Sequence, residues 1–242
     1  MLDKKPSTIA DMFDGIAATY DRINHVLSFS IDRTWRKRAV RRLSIAEGDR
    51  VIDIATGTGD MALYALWHEP TCTVTGVDLS LEMLNRAVTK AGGRGFSRRS
   101  LFVQGDASCL PIPDRSMHRA MVAFGIRNMD DRDAFFDELH RILAPGGRAA
   151  VLEFSLPKNP IVRFMYLAYF RKLLPSVGAI LSGNPGAYRY LTESVLEFPS
   201  AEELSQAMEE RGFLVTSLQR LSFGIAWLYL LRKKEDRRSH PT

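Results

Sequence analysis

The stretch Val51-Ile-Asp-Ile-Ala-Thr-Gly-Thr-Gly-Asp60 decides how this chain folds. Val51, Ile52 and Ile54 make the short apolar run of a buried strand. The run meets glycines at 57 and 59, where the lack of a Cβ lets the backbone turn tightly and approach a ligand closely. From Met61 to Trp67 apolar residues recur at helical spacing, which sets a helix N-terminus against the same turn. Strand, glycine turn and helix form a nucleotide-type binding loop, and the question is which nucleotide.

Two ligands compete for it. Gly57-Thr-Gly-Asp-Met-Ala62 satisfies the G-x-G-x-x-G/A fingerprint of dinucleotide domains, in which a pyrophosphate rests on the helix N-terminus. Here that place holds Asp60, and Asp53 lies near the end of the strand. Two carboxylates repel a pyrophosphate but suit a cation, and S-adenosylmethionine carries a sulfonium and an ammonium beside its adenosine. The charges favour a methyl-donor site over a dinucleotide site. Beside both stands a plain strand–helix turn with incidental glycines.

The next segments strengthen the methyl-donor reading. Thr73 to Val77 predicts a strand ending in Asp78, where α/β nucleotide folds grip ribose hydroxyls with a carboxylate. Ser80 is placed to cap a helix over Leu81 to Ala91. A third strand, Leu101 to Gln104, runs into Gly105-Asp106-Ala107, where a carboxylate can accept from an adenine amino group. Each of these acidic residues alone is equally well explained as a turn former. At successive strand ends they form a constellation.

The alternation then continues. Arg119 to Phe124 predicts a strand, Arg132 to Leu143 a helix stopped by Ala144-Pro-Gly-Gly147, and Arg148 to Phe154 a further strand. After an apolar insertion come a helix (Ala201 to Arg211) and strands at Phe213 to Leu221 and Ile225 to Leu231. The short turn at Phe223-Gly224 makes the last two antiparallel neighbours. The expected fold is α/β, of the class I methyltransferase (Rossmann-like) type. Its seven-stranded sheet is mostly parallel with an antiparallel C-terminal strand, and helices cover both faces.

At 242 residues the chain suits one sizeable core and is short for two full domains, so residues 1–242 are expected to form a single domain. Residues 1–45 read as a helical cover and 156–198 as a lid-like apolar insertion, while Met1 to Ser7 and Glu235 to Thr242 read as disordered. Cys72 and Cys109 lack metal-ligand spacing and the five histidines are scattered, so no metal site is expected. The N-terminus lacks the apolar core of a signal peptide, and no run approaches the roughly 18 to 20 apolar residues that cross a bilayer. A cytoplasmic location follows, extending to the inner face of the membrane. The basic cluster Arg33 to Arg42 and the tail Arg232 to Arg238 contribute to a net charge of +5. Solvated helix faces are their default meaning; with no appended RNA or DNA module, anionic lipid is a better partner than nucleic acid.

Narrower motifs stand on this frame: Phe13-Asp-Gly-Ile-Ala-Ala-Thr-Tyr-Asp-Arg-Ile-Asn24, Arg33-Thr-Trp-Arg36, Ala123-Phe-Gly-Ile-Arg-Asn128, Leu143-Ala-Pro-Gly-Gly-Arg148 and Tyr188-Arg-Tyr-Leu-Thr-Glu-Ser194. In these the chain resembles, over nearly its whole length, the quinone C-methyltransferases of menaquinone and ubiquinone biosynthesis. The resemblance implies S-adenosylmethionine as cofactor and a reduced polyprenyl quinone as substrate, with contacts from Thr58, Asp78, Asp106 and Ala107 beside Asp53, Gly57 and Gly59 of the loop. The family often has asparagine at 106, and either side chain accepts from adenine. Ala123 stands where some members have a contacting serine, Ser30 where glycine is frequent, and Asp32 where histidine is usual. The end of the chain, Gly224 to Leu231, lacks the histidine and lysine associated with the family.

The substrate class sets the chemistry. A hydroquinol becomes nucleophilic at a ring carbon when a hydroxyl proton leaves, and the unperturbed pKa of a phenol is near 10. Arg127 and Asn128 are the candidates for stabilising the developing phenolate, with Asp32 as a candidate base. A structural alternative pairs Arg127 with a carboxylate at the sheet edge. Tyr20 and Asp21 either close over the cofactor or begin a packed helix. Ile161 to Leu174, apolar with basic residues, either lines a greasy mouth, lies on a bilayer, or packs as a lid. Another hydrophobic acceptor (a phenol, sterol or phospholipid) remains open, as does a homo-oligomer.

Overall fold

The central strand β1 (Arg50–Ile54) lies between β2 (Thr73–Asp78) and β4 (Met117–Ala123), parallel to both. In the computed structural model, which describes residues 2–169 and 185–235, β3 (Ser100–Gln104) adds parallel outside β2, and β5 (Leu143–Phe154) parallel outside β4. β7 (Ala226–Lys233) is antiparallel to both β5 and β6 (Phe213–Leu221), so the order is β3-β2-β1-β4-β5-β7-β6. The order reverses between β1 and β4. Such a switch point opens a crevice beyond the C-terminal strand ends, which puts the turns after Ile54 and Ala123 at the ligand position.

Alternation along β1 explains its depth. Ile52 and Ile54 enter one core with Phe135, Phe136 and Tyr229, while Val51 enters the other with Leu43, Leu66 and Leu228. Both faces are covered. Helices α4 (Asp60–His68), α5 (Leu81–Gly92), α6 (Arg132–Ile142) and α9 (Ala201–Glu210) follow the strands as the sequence predicts. Ser80 caps α5 at 3.1 Å to the Met83 N–H, and Ser200 with Glu203 forms a capping box on α9.

Three of the departures from the expected boundaries have a tertiary reason. β5 begins at Leu143 rather than Arg148, because Leu143 already pairs with Met117 across a register shift. The N-terminus is ordered sooner: α1 (Pro6–Ile16) starts with proline in its first turn, and its Asp14 accepts bonds from the Ser80 hydroxyl and, at 3.1 Å, the Glu82 N–H. Lys233, read as part of a positive tail, is a buried strand residue whose Nζ donates to the carbonyls of His140 (2.6 Å) and Leu143 (2.8 Å).

Helices α2 (Tyr20–Leu27) and α3 (Ile31–Leu43) follow α1, and α3 buries Trp35, Ala39, Val40 and Leu43 against α4 and β5. The insertion contributes α7 (Pro160–Ala168) and α8 (Pro185–Leu196). A third apolar cluster joins Ile16 and Ile23 to Tyr166 and Val195, so these elements meet over the sheet's C-terminal edge. Residues 170–184, including the end of the Ile161 to Leu174 stretch, and the tail 236–242 lie outside the described residues.

Candidate active site

Two strained turns shape the crevice. Ala55 and Phe124, just after β1 and β4, have φ of +53° and +61°, a region that side chains rarely adopt. A Cβ on Gly125 would stand 2.6 Å from the Ala55 Cβ, so glycine there lets the two turns touch. Gly57 is open instead: with φ +55° it lines a cavity of about 200 Å³, and an added Cβ would meet no protein atom within 4 Å. That space fits a ligand lying on the loop.

Asp78 joins the loop to β2. Its Oδ2 accepts the Gly57 N–H at 2.7 Å and its Oδ1 the Ser80 N–H at 3.0 Å, while burial raises its pKa above the usual carboxylate value. Asp106 and Ala107 line the far part of the same cavity, and Asp106 Oδ1 accepts from the Ser108 N–H and hydroxyl, both at 2.8 Å. One carboxylate at the loop and one beyond β3 suit the ribose and adenine of a nucleoside.

The other loop residues lie differently from what their charges suggested. Asp53 is behind the loop, lining none of the cavities described here; its Oδ2 accepts from the Thr56 hydroxyl (2.6 Å) and the Ala62 N–H (3.0 Å), and burial pushes its pKa up to about 7. Asp60 pairs with Lys90 at 2.6 Å; burial opposes its charge, but Arg36 and Lys90 outweigh burial and hold its pKa low. Thr58, beside the positive-φ Gly59, donates to Asp21 at 2.5 Å and accepts from Lys90 at 3.0 Å. Lys90 also reaches Asp21 at 2.9 Å. This cluster ties α2 to the glycine loop.

The raised Asp53 pKa has a consequence for stability. Between its unfolded value near 4 and about 7 the folded state binds the extra proton, so this group makes stability fall as pH rises through that window. Asn can keep both bonds, since both fall on one oxygen. Asp53→Asn is expected to gain stability relative to the wild type from pH 5 to 8, read by thermal melts without cofactor. Parallel curves would contradict a buried titrating carboxyl.

Beside the loop lies a small polar cleft lined by Asn24, His25, Asp32, Arg36, Thr58 and Asp60. His25 Nδ1 lies 3.2 and 3.1 Å from the two Asp32 oxygens, and Ser28 donates to Asp32 at 2.6 Å. Nothing in the sequence marked His25, whose partner sits across the α2–α3 turn.

A third, larger cavity of about 490 Å³ has walls of Phe29, Trp35, Phe124, Phe154, Met165 and Ile225 among others. Phe13, Tyr20, Phe124 and Asn128 line both it and the nucleoside cavity, so the two abut there. Asp32 is the one carboxylate among its described lining residues, with Arg36, Arg127 and Asn128 as further polar groups. Arg127, in the 3₁₀ turn 126–128, is an ion-paired residue: its Nη1 meets Glu153 Oε1 at 2.9 Å and the Phe124 carbonyl, and its backbone N–H donates to Oε2 at 3.3 Å. The buried Arg127 Nε and Asn128 Oδ1 have no hydrogen-bond partner among the described residues.

No group of His, Cys, Asp and Glu among the described residues is placed to hold a metal. Residues 1–233 match the ubiE/COQ5 methyltransferase family. The chain is 42% identical over 229 residues to a ubiquinone/menaquinone biosynthesis C-methyltransferase of Geobacter sulfurreducens, covering 94% of this chain and 89% of that one. It is also 42% identical to a demethylmenaquinone methyltransferase of Deinococcus radiodurans, covering 95% and 94%. Among solved structures, a SAM-dependent methyltransferase of Aquifex aeolicus has a TM-score of 0.61 at 18% identity, over 82% of this chain and 89% of that one. The [4+2]-cyclase SpnF has 0.71 at 17% over 93% and 95%, and both likenesses establish the fold. The chain belongs to the ubiE/COQ5 methyltransferase family and is an S-adenosylmethionine-dependent methyltransferase.

Proposed function

We propose that this enzyme methylates a ring carbon of a reduced polyprenyl quinone precursor, either demethylmenaquinol or a 2-methoxy-6-polyprenyl-1,4-benzoquinol. The observation that carries this reading is the apolar cavity abutting the nucleoside cavity at Tyr20, Phe124 and Asn128. Aromatic walls suit a flat ring and a prenyl tail, and the few polar groups suit ring hydroxyls. The relatives in ubiquinone/menaquinone biosynthesis and in demethylmenaquinone methylation support the same quinone class.

The bound cofactor supplies a sulfonium methyl whose transfer to carbon leaves a thioether. Gly57, Asp78, Asp106 and Ala107 hold its nucleoside in this proposal. Gly59, also expected at the cofactor, lines none of the cavities described; a Cβ there would stand 3.0 Å from the Ala87 Cβ, so this glycine lets α5 pack against the turn. Asp53 braces the loop from behind and Thr58 ties it to Asp21. Exchange of a ring hydrogen for methyl releases one proton. Asp32 takes it, being the carboxylate that lines the acceptor cavity, and His25 supports it from the polar cleft. Asn128 accepts from the ring hydroxyl and fixes the ring against the methyl position. Arg127 remains charged, but Glu153 offsets most of its field, so its task is to hold the 126–128 turn that carries Asn128.

The cavity wall also carries Phe29, Phe223 and Met165, which are 80%, 75% and 66% exposed. With the exposed arginines of α3 they make a surface suited to an anionic bilayer, from which a prenylated substrate can enter. No helix among the described residues is long and apolar enough to cross a membrane. Cosedimentation at low salt is expected to be stronger with anionic than with neutral vesicles; equal binding would remove the electrostatic part. For the reaction, labelled S-adenosylmethionine is incubated with the two reduced quinone precursors, simple phenols, sterol, phospholipid and RNA. Label in a methyl group bonded to a quinol ring carbon is expected, and transfer to another class with none to the quinols would overturn the proposal.

A further inference from the structure

Among the described residues, Arg36 is the basic side chain that lines both the polar cleft and the acceptor cavity. Its side chain is 11% exposed, and among the described residues its Nε is buried without a hydrogen-bond partner, with the Asp32 Oδ2 at 3.5 Å from that atom. The guanidinium lies over the Phe124 ring at 5.0 Å. Buried donors are normally satisfied. The Nε of Arg127 is likewise without a partner among the described residues, but Arg127 is paired through Nη1 with Glu153 at 2.9 Å and Lys90 meets carboxylates at 2.9 Å or less, whereas Arg36 has no carboxylate that close among those residues. Burial opposes the charge on Arg36, but Asp60, Tyr20, Asp32 and Asp53 around it outweigh that effect and keep it protonated.

Its position gives the open donor a purpose. Tyr20, Ala55, Gly57 and Ala123 line both the nucleoside cavity and the polar cleft, so the cleft continues from the nucleoside along the glycine loop. With the adenosine held at Asp78 and Asp106, the amino-acid end of the cofactor reaches the cleft. That end is a zwitterion. Asp21 and Asp60 in the cleft suit its ammonium, whereas the carboxylate needs a cation. Of the two basic side chains lining the cleft, His25 has Nδ1 toward Asp32 and Nε2 at 3.8 Å from Asp60, and only Arg36 has a donor left over.

We infer that Arg36 binds the carboxylate of the cofactor's methionine portion. Because Arg36 also lines the acceptor cavity, seating that end fixes where the methyl group sits relative to the acceptor.

Calorimetry with three ligands tests the assignment without turnover, and independently of the quinol proposal. S-adenosylhomocysteine carries the carboxylate, its decarboxylated analogue keeps only the ammonium, and 5′-methylthioadenosine lacks both. Arg36→Gln is expected to weaken S-adenosylhomocysteine about 10- to 100-fold, the range of a lost charge-assisted hydrogen bond, and to leave the other two within about twofold. Arg36→Lys keeps the charge without the planar fork, and is expected to show the same selectivity at smaller size. If the glutamine variant does not fold, the lysine variant decides by that selectivity. Unchanged S-adenosylhomocysteine binding, or equal losses for all three ligands, would overturn the inference.

Discussion

Replacing Asn128 by leucine is expected to lower turnover about 100- to 1000-fold while S-adenosylhomocysteine affinity stays within about threefold. The two side chains are close in size, so the cavity wall is kept and the polar atoms are removed. Asn128 lies where the proposed nucleoside and acceptor cavities meet, and its Oδ1 is buried with no partner among the described residues. A buried polar atom left open in the native fold is costly unless a ligand completes it. In the proposed site the nucleoside keeps Asp78 and Asp106, which line its cavity, so the loss is confined to placing and polarising the acceptor. Single-turnover rates with reduced quinone, beside calorimetry with the product analogue, separate the two effects. Unchanged turnover would remove Asn128 from the chemistry, and an equal loss of cofactor affinity would make it a cofactor contact.

The fold was legible wherever the signal was local. β1 is buried on both faces, so it reads as an apolar run, and its turn needs glycines at positive φ that the sequence displays. The antiparallel pairing of β6 and β7 followed from a turn too short for a crossover. Local signals failed where a distant partner sets the outcome. The start of β5 depends on the pairing of Leu143 with Met117, and α1 is ordered early because Asp14 meets Ser80 and Glu82, more than 60 residues on.

The site divides in the same way. Asp78, Asp106 and Gly57 were legible because strand ends and glycine turns announce them, and all of them line one cavity. The charge argument for a methyl donor reached its conclusion by an incomplete route: Asp53 faces away from the cavities and Asp60 is matched by Lys90. Lys90, 30 residues from Asp60, carried no motif. His25 was equally silent, and Arg36, though part of the Arg33-Thr-Trp-Arg36 motif, carried no role, since a basic cluster and a lone histidine acquire meaning only once α2 and α3 fold onto the loop.

The Arg127–Glu153 pair gives the largest expected effect on stability. The two side chains are 6% and 1% exposed, and Glu153 also accepts from the backbone N–H groups of Arg127 and Phe154. Removing one partner of such a pair leaves a buried charge uncompensated, at about 3 to 5 kcal/mol. For a domain of this length Glu153→Ala is therefore expected to lower the melting temperature by roughly 6 to 20 °C. Arg127→Met with Glu153→Ala removes both charges and is expected to recover part of that loss, because an apolar replacement of a buried pair is often near neutral. Thermal melts of the two single variants and the double variant read the comparison. A double variant no more stable than Glu153→Ala would show that the lost backbone bonds at 127 and 154, rather than the unpaired guanidinium, carry the destabilisation. If the double variant is stable but slow, with normal cofactor affinity, Arg127 acts on the reaction through the turn that places Asn128. If it is stable and fast, the ion pair serves the fold alone.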